Sequence, residues 1–281
     1  MLRVAVPNKG QLNEPALQML REAGYLASSL ARDLVVQDPD NDVEFFFLRP
    51  RDIATYVGAG TLDLGITGRD MLLDSGADAE EVLALGFAPA TFRLAAPEGV
   101  AASLRDLAGM RIATSYAGLL AAHLRKHAVD ARVVALEGAV ENAVRLGVAD
   151  AVADVVATGT TMRQAGLVPV GEPILVSQAL LVRRRGAPGD HAVDTFVRRL
   201  TGVMTARAYV LVDYDIRSGL LDAACAITPG IESPTVSPLH DAAWSAVRAM
   251  VPRREVHRVM DELYELGARG ILVTDIHACR L

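Results

Sequence analysis

The chain has 281 residues and a net charge of −6, with 51% hydrophobic and 22% charged residues. This is an ordinary globular composition, and it is more chain than one compact core usually serves, so two or three domains are expected. No apolar run is long enough to cross a bilayer, Met1–Pro7 lacks the features of a secretory leader, and no long Lys/Arg cluster marks a nucleic-acid surface; the expectation is a cytoplasmic protein with neither membrane nor nucleic acid as partner.

In chain order, Leu2–Val6 reads as a strand followed by Pro7-Asn8-Lys9-Gly10, and a helix starts near Asn13, with Leu17, Leu20 and Ala23 at helical spacing before Gly24. Val43–Leu48 is a second strand ending in Arg49-Pro50-Arg51-Asp52. Ile53–Val57 is a short helix, and Leu62–Thr67 a strand ending in Gly68-Arg69-Asp70. Alternation of this kind predicts a mostly parallel sheet with helices on its faces and ligands at the carboxyl ends of the strands, where Lys9, Arg49, Arg51 and Asp70 all fall. The chain crosses into a second α/β lobe near Ala90–Ala96. There Arg111–Thr114 is a strand and Leu119–Ala128 a helix, and Val176–Val182 returns the chain to the first lobe. Arg183-Arg184-Arg185-Gly186-Ala187-Pro188-Gly189 reads as a solvated surface connection. Beyond it come Tyr209–Asp213, a helix over Gly219–Ala226, strands at Thr235–Ser237 and Trp244–Met250, a helix over Arg253–Leu266 stopped at Gly267, and a strand at Gly270–Thr274. The order β-α-β-β-α-β is ferredoxin-like.

The segment from Glu141 to Met162 carries the most chemistry. Ala151–Val156 reads as a buried strand bearing Asp154 near its end, followed by Thr158-Gly159-Thr160-Thr161 and a helix from Met162. Glycine lets backbone approach a ligand closely, threonines add hydroxyls, and free amides at a helix start attract anions. A sugar phosphate fits, with Asp154 placed for ribose hydroxyls or a Mg2+-bound diphosphate; for the four-residue loop alone, a plain strand, turn and N-cap is the better reading. No G-x-x-x-x-G-K-[ST], G-x-G-x-x-G or G-x-S-x-G motif is present, which disfavours phosphoryl transfer through a P-loop. His123 and His127 have the spacing of paired metal ligands. The intervening Leu124-Arg125-Lys126 offers no glutamate and two positive charges, so a solvated face is the better reading. Cys225 and Cys279 read as small buried hydrophobes rather than a disulfide framework.

The wider spacing is more specific. Glu141, Gly147, Ala149, Val152, Asp154-Val155, Thr158-Gly159-x-Thr161-Met162 resembles the signature segment of the ATP phosphoribosyltransferases. So do Met1–Gly10, Val43–Pro50, Gly65–Asp70 and Ile227–Thr235, which resemble segments of the long-form, and particularly actinobacterial, members. The resemblance implies two lobes like a type-II periplasmic binding protein, lobe I at 1–90 with about 184–211 and lobe II at 91–183, plus a C-terminal regulatory domain at 212–281. It implies a Mg2+-dependent transfer joining ATP, through adenine N1, to 5-phosphoribosyl 1-diphosphate, with L-histidine and AMP as inhibitors and a homo-oligomer, dimer or hexamer. The ion would be held mainly through substrate phosphates.

By the same resemblance, Asp154, Ala157, Thr158, Gly159, Thr160 and Thr161 would hold phosphoribosyl diphosphate. Lys9, Arg49, Arg51, Asp70 and Tyr116 would meet the nucleotide, with Asp154, Lys9 and Arg49 central to catalysis. Tyr116 either stacks on adenine or packs. Asp215, Ser233, Thr235 and Gly270 would take histidine, although Asp215 as a helix cap and Ser233 and Thr235 as loop-shaping residues fit as well. By the same resemblance, Thr160 stands where many relatives carry Arg, and Arg51 stands at a position that also takes Lys. Two rivals explain parts of the pattern. A phosphoribosyl-diphosphate-dependent transferase acting on a free base would explain the loop, and a two-lobed solute-binding or sensor protein the architecture.

Overall fold

In a computed structural model, which describes residues 1–26, 33–156 and 159–280, the chain divides into two compact units. The first holds Met1–Gln18 and Tyr25–Val197, the second Met19–Gly24 and Arg198–Leu281.

The first unit contains two sheets built to one plan. The chain lays down β1 (Leu2–Pro7), α1 (Asn13–Glu22, which runs into the second unit), β2 (Val35–Asp38), β3 (Val43–Leu48), α2 (Pro50–Gly58), β4 (Leu64–Gly68), α3 (Arg69–Ser75) and β5 (Ala79–Ala84). It then crosses over and builds β6 (Ala90–Pro97), β7 (Arg111–Thr114), α4 (Ala117–Lys126), β8 (Arg132–Ala135), α5 (Asn142–Arg145), β9 (Ala151–Val156), α6 (Thr160–Gln164) and β10 (Leu167–Ser177). Finally β11 (Ala179–Arg184) re-enters the first sheet. The strand orders are β2-β3-β1-β4-β11-β5 and β10-β6-β9-β7-β8. In each sheet three strands run parallel, β3-β1-β4 in one and β8-β7-β9 in the other. A crossover strand, β11 or β6, is then inserted antiparallel between the third of them and the outer strand. This is the plan of the lobes of type-II periplasmic binding proteins, as expected from the sequence.

Local chemistry explains the strands that carry the site. In β3 the run Val43-Glu44-Phe45-Phe46-Phe47-Leu48 alternates between buried and half-buried positions, the period of a pleated strand with one face in the core. Strand β4, Leu-Gly-Ile-Thr-Gly, is buried at every position, as a central parallel strand covered on both faces should be. Gly65 lets α2 lie close on the sheet, because a Cβ there would overlap Ile53 Cγ2 and meet Val57 Cγ2 at 3.0 Å. The first lobe packs Ala5, Ile53, Val57, Leu180 and Val182 together. The second has a core on each face, one around Phe92, Leu94, Ile112 and Leu120, the other around Ala95, Val140, Val152 and Met162.

The second unit takes the end of α7 (His191–Ala208) into β12 (Tyr209–Arg217), α8 (Leu221–Ile227), β13 (Thr235–Pro238), β14 (Trp244–Pro252), α9 (Val256–Leu266) and β15 (Arg269–Asp275). Its sheet order β13-β14-β12-β15 is antiparallel throughout, the ferredoxin-like arrangement. Val210, Val212, Tyr214 and Ile216 of β12 pack with Val256, Val259 and Leu263 of α9, and α9 stops at Gly267, whose φ of 108° suits glycine.

Several expectations change. Val176–Val182 is not one strand but the end of β10 and the start of β11, and each sheet mixes parallel with antiparallel pairs rather than being mostly parallel. The stretch beginning at Arg183 is not wholly a surface connection: β11 continues through Arg184, and Arg183 Nε donates to Glu80 Oε1 at 2.8 Å on the neighbouring strand. A continuous apolar run that ends in two arginines hides this, because the Arg183 charge is satisfied across the sheet. The helix expected over Leu119–Ala128 begins at Ala117 and ends at Lys126. Cys225 and Cys279 are both free thiols but only partly buried; burial, followed by the nearby Asp222 charge, pushes the Cys225 thiol above its ordinary value.

Candidate active site

A cavity of about 310 Å³ opens in the first unit, with walls from both sheets. Lys9, just after β1, and Gly68, Asp70 and Met71, at the end of β4 and the start of α3, line one wall. Ser115 and Tyr116 after β7 and Asp154 and Val155 of β9 line the other, and Ser177 and Gln178 of the crossover close it. All these positions lie at or beyond the carboxyl ends of strands, where open α/β sheets bind ligands.

Asp70 is 5% exposed and Ser177 2% exposed. The Ser177 hydroxyl donates to Asp70 Oδ1 at 2.6 Å and accepts the Asp70 backbone N–H at 3.1 Å. Helix α3 has Gly68 at its N-cap with no side-chain cap of its own, so Ser177, 107 residues away in sequence, satisfies one of the orphan amides of its first turn. Gly68 has to be small because a Cβ there would overlap Asp70 Oδ1.

Tyr116 is buried, with the Phe92 ring at 5.5 Å and the Arg51 guanidinium 4.2 Å above its own ring. Burial raises its phenol pKa well above the ordinary value, and the Asp70 charge and hydrogen bond add to this against a lowering by Arg51. Asp154 accepts the Val155 N–H at 2.8 Å. Burial is the main cause that raises its carboxyl above the usual range; the Val155 bond and Arg51 oppose it, while Glu141 and Asp70 add to it. The cavity therefore holds two carboxylates from different sheets, one of them costly to ionise.

The sequence-predicted residues divide into several groups. Lys9, Asp70, Tyr116 and Asp154 are brought together in the cavity wall. Arg51 stands beside it, donating to Ser115 Oγ at 3.3 Å and to Asp74 Oδ2 at 3.2 Å. Arg49 is an exposed N-cap residue of α2, and neither it nor Gly159, Thr160 or Thr161 lines the cavity. Gly159 caps α6 with φ 73°, and Thr160 and Thr161 form that helix's exposed first turn. Ala157 and Thr158 lie outside the described residues. In the second unit Asp215 lines an open hollow of about 620 Å³ together with Leu239, His240, Asp241, Trp244 and Arg269. A Cβ at Gly270 would stand 3.6 Å from Asp215 Oδ2. Ser233 and Thr235 are exposed and not part of that lining. His123 in α4 and His127 at its C-cap place their ring centroids 4.5 Å apart.

Ser177 and Ser115 were not identified in sequence. Each is a lone serine at a strand end whose partner is distant in the chain, and local patterning carries no signal for such contacts.

Two α/β lobes enclosing a carboxylate-lined cleft at their strand ends, with a ferredoxin-like unit alongside in the chain, define a two-lobed ligand-clasping protein. Comparison with known proteins makes this specific. A family model described as ATP phosphoribosyltransferase matches residues 49–202, and one described as HisG, C-terminal domain, matches residues 206–278. The chain is 61% identical over 284 residues to an ATP phosphoribosyltransferase of Pseudarthrobacter chlorophenolicus and 58% identical over 285 residues to that of Streptomyces avermitilis, with all of both chains covered in each case. Among solved structures it is similar to the ATP phosphoribosyl transferase (HisG:HisZ) complex from Thermotoga maritima, with a TM-score of 0.63, 25% identity, and 72% of this chain and 97% of that chain covered. The chain belongs to the ATP phosphoribosyltransferase family, the pentosyltransferases of the first step of histidine biosynthesis, whose substrates are ATP and 5-phosphoribosyl 1-diphosphate.

Proposed function

We propose that the cleft of the first unit is where ATP and 5-phosphoribosyl 1-diphosphate meet, with adenine N1 attacking ribose C1 and displacing diphosphate with inversion. The observation that carries this is the convergence of Asp70, Asp154 and Lys9 from different strand ends on one cavity. A ring nitrogen is already a neutral nucleophile at pH 7, so the protein needs no strong base. Its residues act by alignment and by offsetting charge on the departing diphosphate.

In this reading Asp154 accepts from the ribose hydroxyls, and the turn from Ala157 to Thr161 takes the 5-phosphate on backbone amides and hydroxyls. Lys9, Arg49, Arg51 and Asp70 form the wall for nucleotide and diphosphate. Arg51 covering the Tyr116 ring at 4.2 Å supports a packing role for Tyr116, with the base placed against the Arg51 side. Among the described residues no three His, Cys, Asp or Glu side chains cluster to hold a metal ion. The cavity's two carboxylates fit a Mg2+ ion carried mainly by the substrate's diphosphate, and Asp70, or Asp154 where it is not engaged by the ribose, would hold it from the protein side. Such an ion, when bound, supplies neutralising charge at the leaving group.

For the second unit the reading is regulatory. Asp215, with the open backbone of Gly270 beside it and Arg269 and Asp241 in the same hollow, offers a carboxylate for the ammonium of L-histidine and a guanidinium for its carboxylate. Ser233 and Thr235 contribute only by movement of their loop or from a second copy in a dimer or hexamer. AMP, sharing the adenine and ribose groups of ATP, competes in the cleft.

Calorimetric titration with 5-phosphoribosyl 1-diphosphate and Mg2+ tests the cleft assignment. Asp154→Asn and Gly159→Val are each expected to weaken binding or turnover by about tenfold or more, which is about 1.4 kcal/mol. Parent-like affinity and kinetics in both variants would remove the assignment.

A further inference from the structure

We propose that Asp74 and Gly118 form a latch between the two lobes of the first unit and are positioning residues for the transfer reaction, an inference that rests on reading the cleft as the active site. Helix α4 starts after Tyr116, and that N-cap provides no side-chain hydrogen bond. The missing cap comes from the other lobe: Asp74, in α3, accepts the Leu119 N–H on Oδ1 at 3.0 Å. A carboxylate at this end of a ten-residue helix is also favoured by the helix dipole.

Gly118 makes the approach possible. Its φ is not left-handed, so glycine is not needed for backbone conformation. It is needed for space, because a Cβ would overlap the Asp74 backbone carbonyl oxygen and stand 3.3 Å from Asp74 Oδ1. The second carboxylate oxygen of Asp74 accepts Arg51 Nη1 at 3.2 Å. The same guanidinium reaches Ser115 Oγ at 3.3 Å and lies over Tyr116. One side chain, itself only 15% exposed, thus caps a helix of the opposite lobe and orients a cation beside the cavity. Asp74 does not line the cavity, so it acts through what it holds.

The latch matters because the cavity walls come from both lobes. Their separation sets the reach between Asp70 and Asp154, and so between the two substrates. In a reaction driven by alignment, a displacement of about 1 Å costs on the order of a hundredfold in rate.

The test compares Asp74→Ala, Asp74→Asn and Gly118→Ala in steady-state assays with each substrate varied, alongside amide exchange at Leu119. Asp74→Ala and Gly118→Ala are expected to lower kcat/KM by about tenfold or more and to raise KM for both substrates. Asn keeps an oxygen for the Leu119 amide but turns an N–H donor toward Arg51, so Asp74→Asn should restore parent-like exchange at Leu119 and recover only part of the activity lost in Asp74→Ala. Alanine favours helix over glycine, so a loss in Gly118→Ala reports lobe spacing rather than a weakened α4. Exchange at Leu119 should quicken about tenfold in Asp74→Ala whatever the activity. The latch is overturned by kinetic constants within twofold of the parent in Asp74→Ala and Gly118→Ala, by an Asn variant as impaired as the Ala one, or by unchanged exchange. A parent that makes no phosphoribosyl-ATP would instead overturn the reading of the cleft, and the exchange rates alone would then decide the latch.

Discussion

Replacing Ser177 with Ala removes a hydroxyl that serves two partners on one residue, the Asp70 carboxylate at 2.6 Å and the Asp70 backbone N–H at 3.1 Å. Both residues are almost wholly buried, so water cannot replace the lost bonds without opening the crossover. A hydrogen bond to a charged group contributes about 1.5–3 kcal/mol, and leaving a helix start uncapped costs about 1 kcal/mol. The two losses fall on one residue and are not fully additive, which puts the total at about 3 kcal/mol. For a unit of this size that is a fall in Tm of about 6–12 °C. Because Asp70 lines the cavity, the same change should raise KM for ATP while α3 loses its fixed start. The measurement is thermal unfolding by calorimetry with parallel kinetics. A Tm within about 2 °C of the parent, a change worth less than 1 kcal/mol, would refute the claim that Ser177 holds Asp70 in place.

Asp154→Asn should lower kcat/KM for phosphoribosyl diphosphate by about tenfold or more while leaving Tm at pH 7 equal to or above the parent's. The sign follows from the raised carboxyl: its ionisation works against folding, a penalty absent below the ordinary value of 3.8 and present once the pH exceeds the folded-state pKa. A marked drop in the Tm of that variant would contradict it. In the parent, the acid limb of kcat/KM should lie above the usual carboxylate range and vanish in Asp154→Asn; a pH profile shared by the two proteins would argue against the assignment. Gly65→Ala should cost about 1–3 kcal/mol through overpacking against Ile53 and Val57, read by denaturant unfolding, and an unchanged midpoint would mean that α2 can move away freely. Asp215→Ala should relieve histidine inhibition and leave uninhibited turnover largely intact, removing a coupling of about 1–3 kcal/mol; full-strength inhibition in that variant, or inhibition that ATP overcomes competitively, would remove histidine from this hollow.

The parts of the fold that were legible in sequence are those whose pattern is local. Strands β1, β3 and β4 announce themselves by apolar or alternating runs ending in proline, charge or glycine, and β7 and β9 by short runs of small and β-branched apolar residues ending in hydroxyl-rich turns. Helix α9 does so by one apolar stripe bounded by Pro252 and Gly267. Helix α7 is masked in the sequence, although Phe196, Leu200 and Val203 repeat at helical spacing and are buried, because the arginine-rich run before it reads as a linker. Strand β5 carries Glu80 and Glu81, which look like solvated charges until Arg183 and Arg69 are seen beside them. For the site, Lys9, Asp70 and Tyr116 could be read from their places after strands, and Asp154 from its place near the end of β9 before the threonine-rich turn. Ser177, Asp74 and Gly118 could not, since each acts on a partner brought near only by the closing of two lobes.

The cleft assignment is tested most directly by a crystal structure of the protein with 5-phosphoribosyl 1-diphosphate and Mg2+. The account predicts the phosphoribosyl group in the first unit's cavity, its ribose hydroxyls on Asp154, its 5-phosphate on the turn that includes Gly159, Thr160 and Thr161, and its diphosphate facing Lys9 and Asp70. Density for the ligand at any other place on the chain, with the cavity occupied only by water, would contradict it.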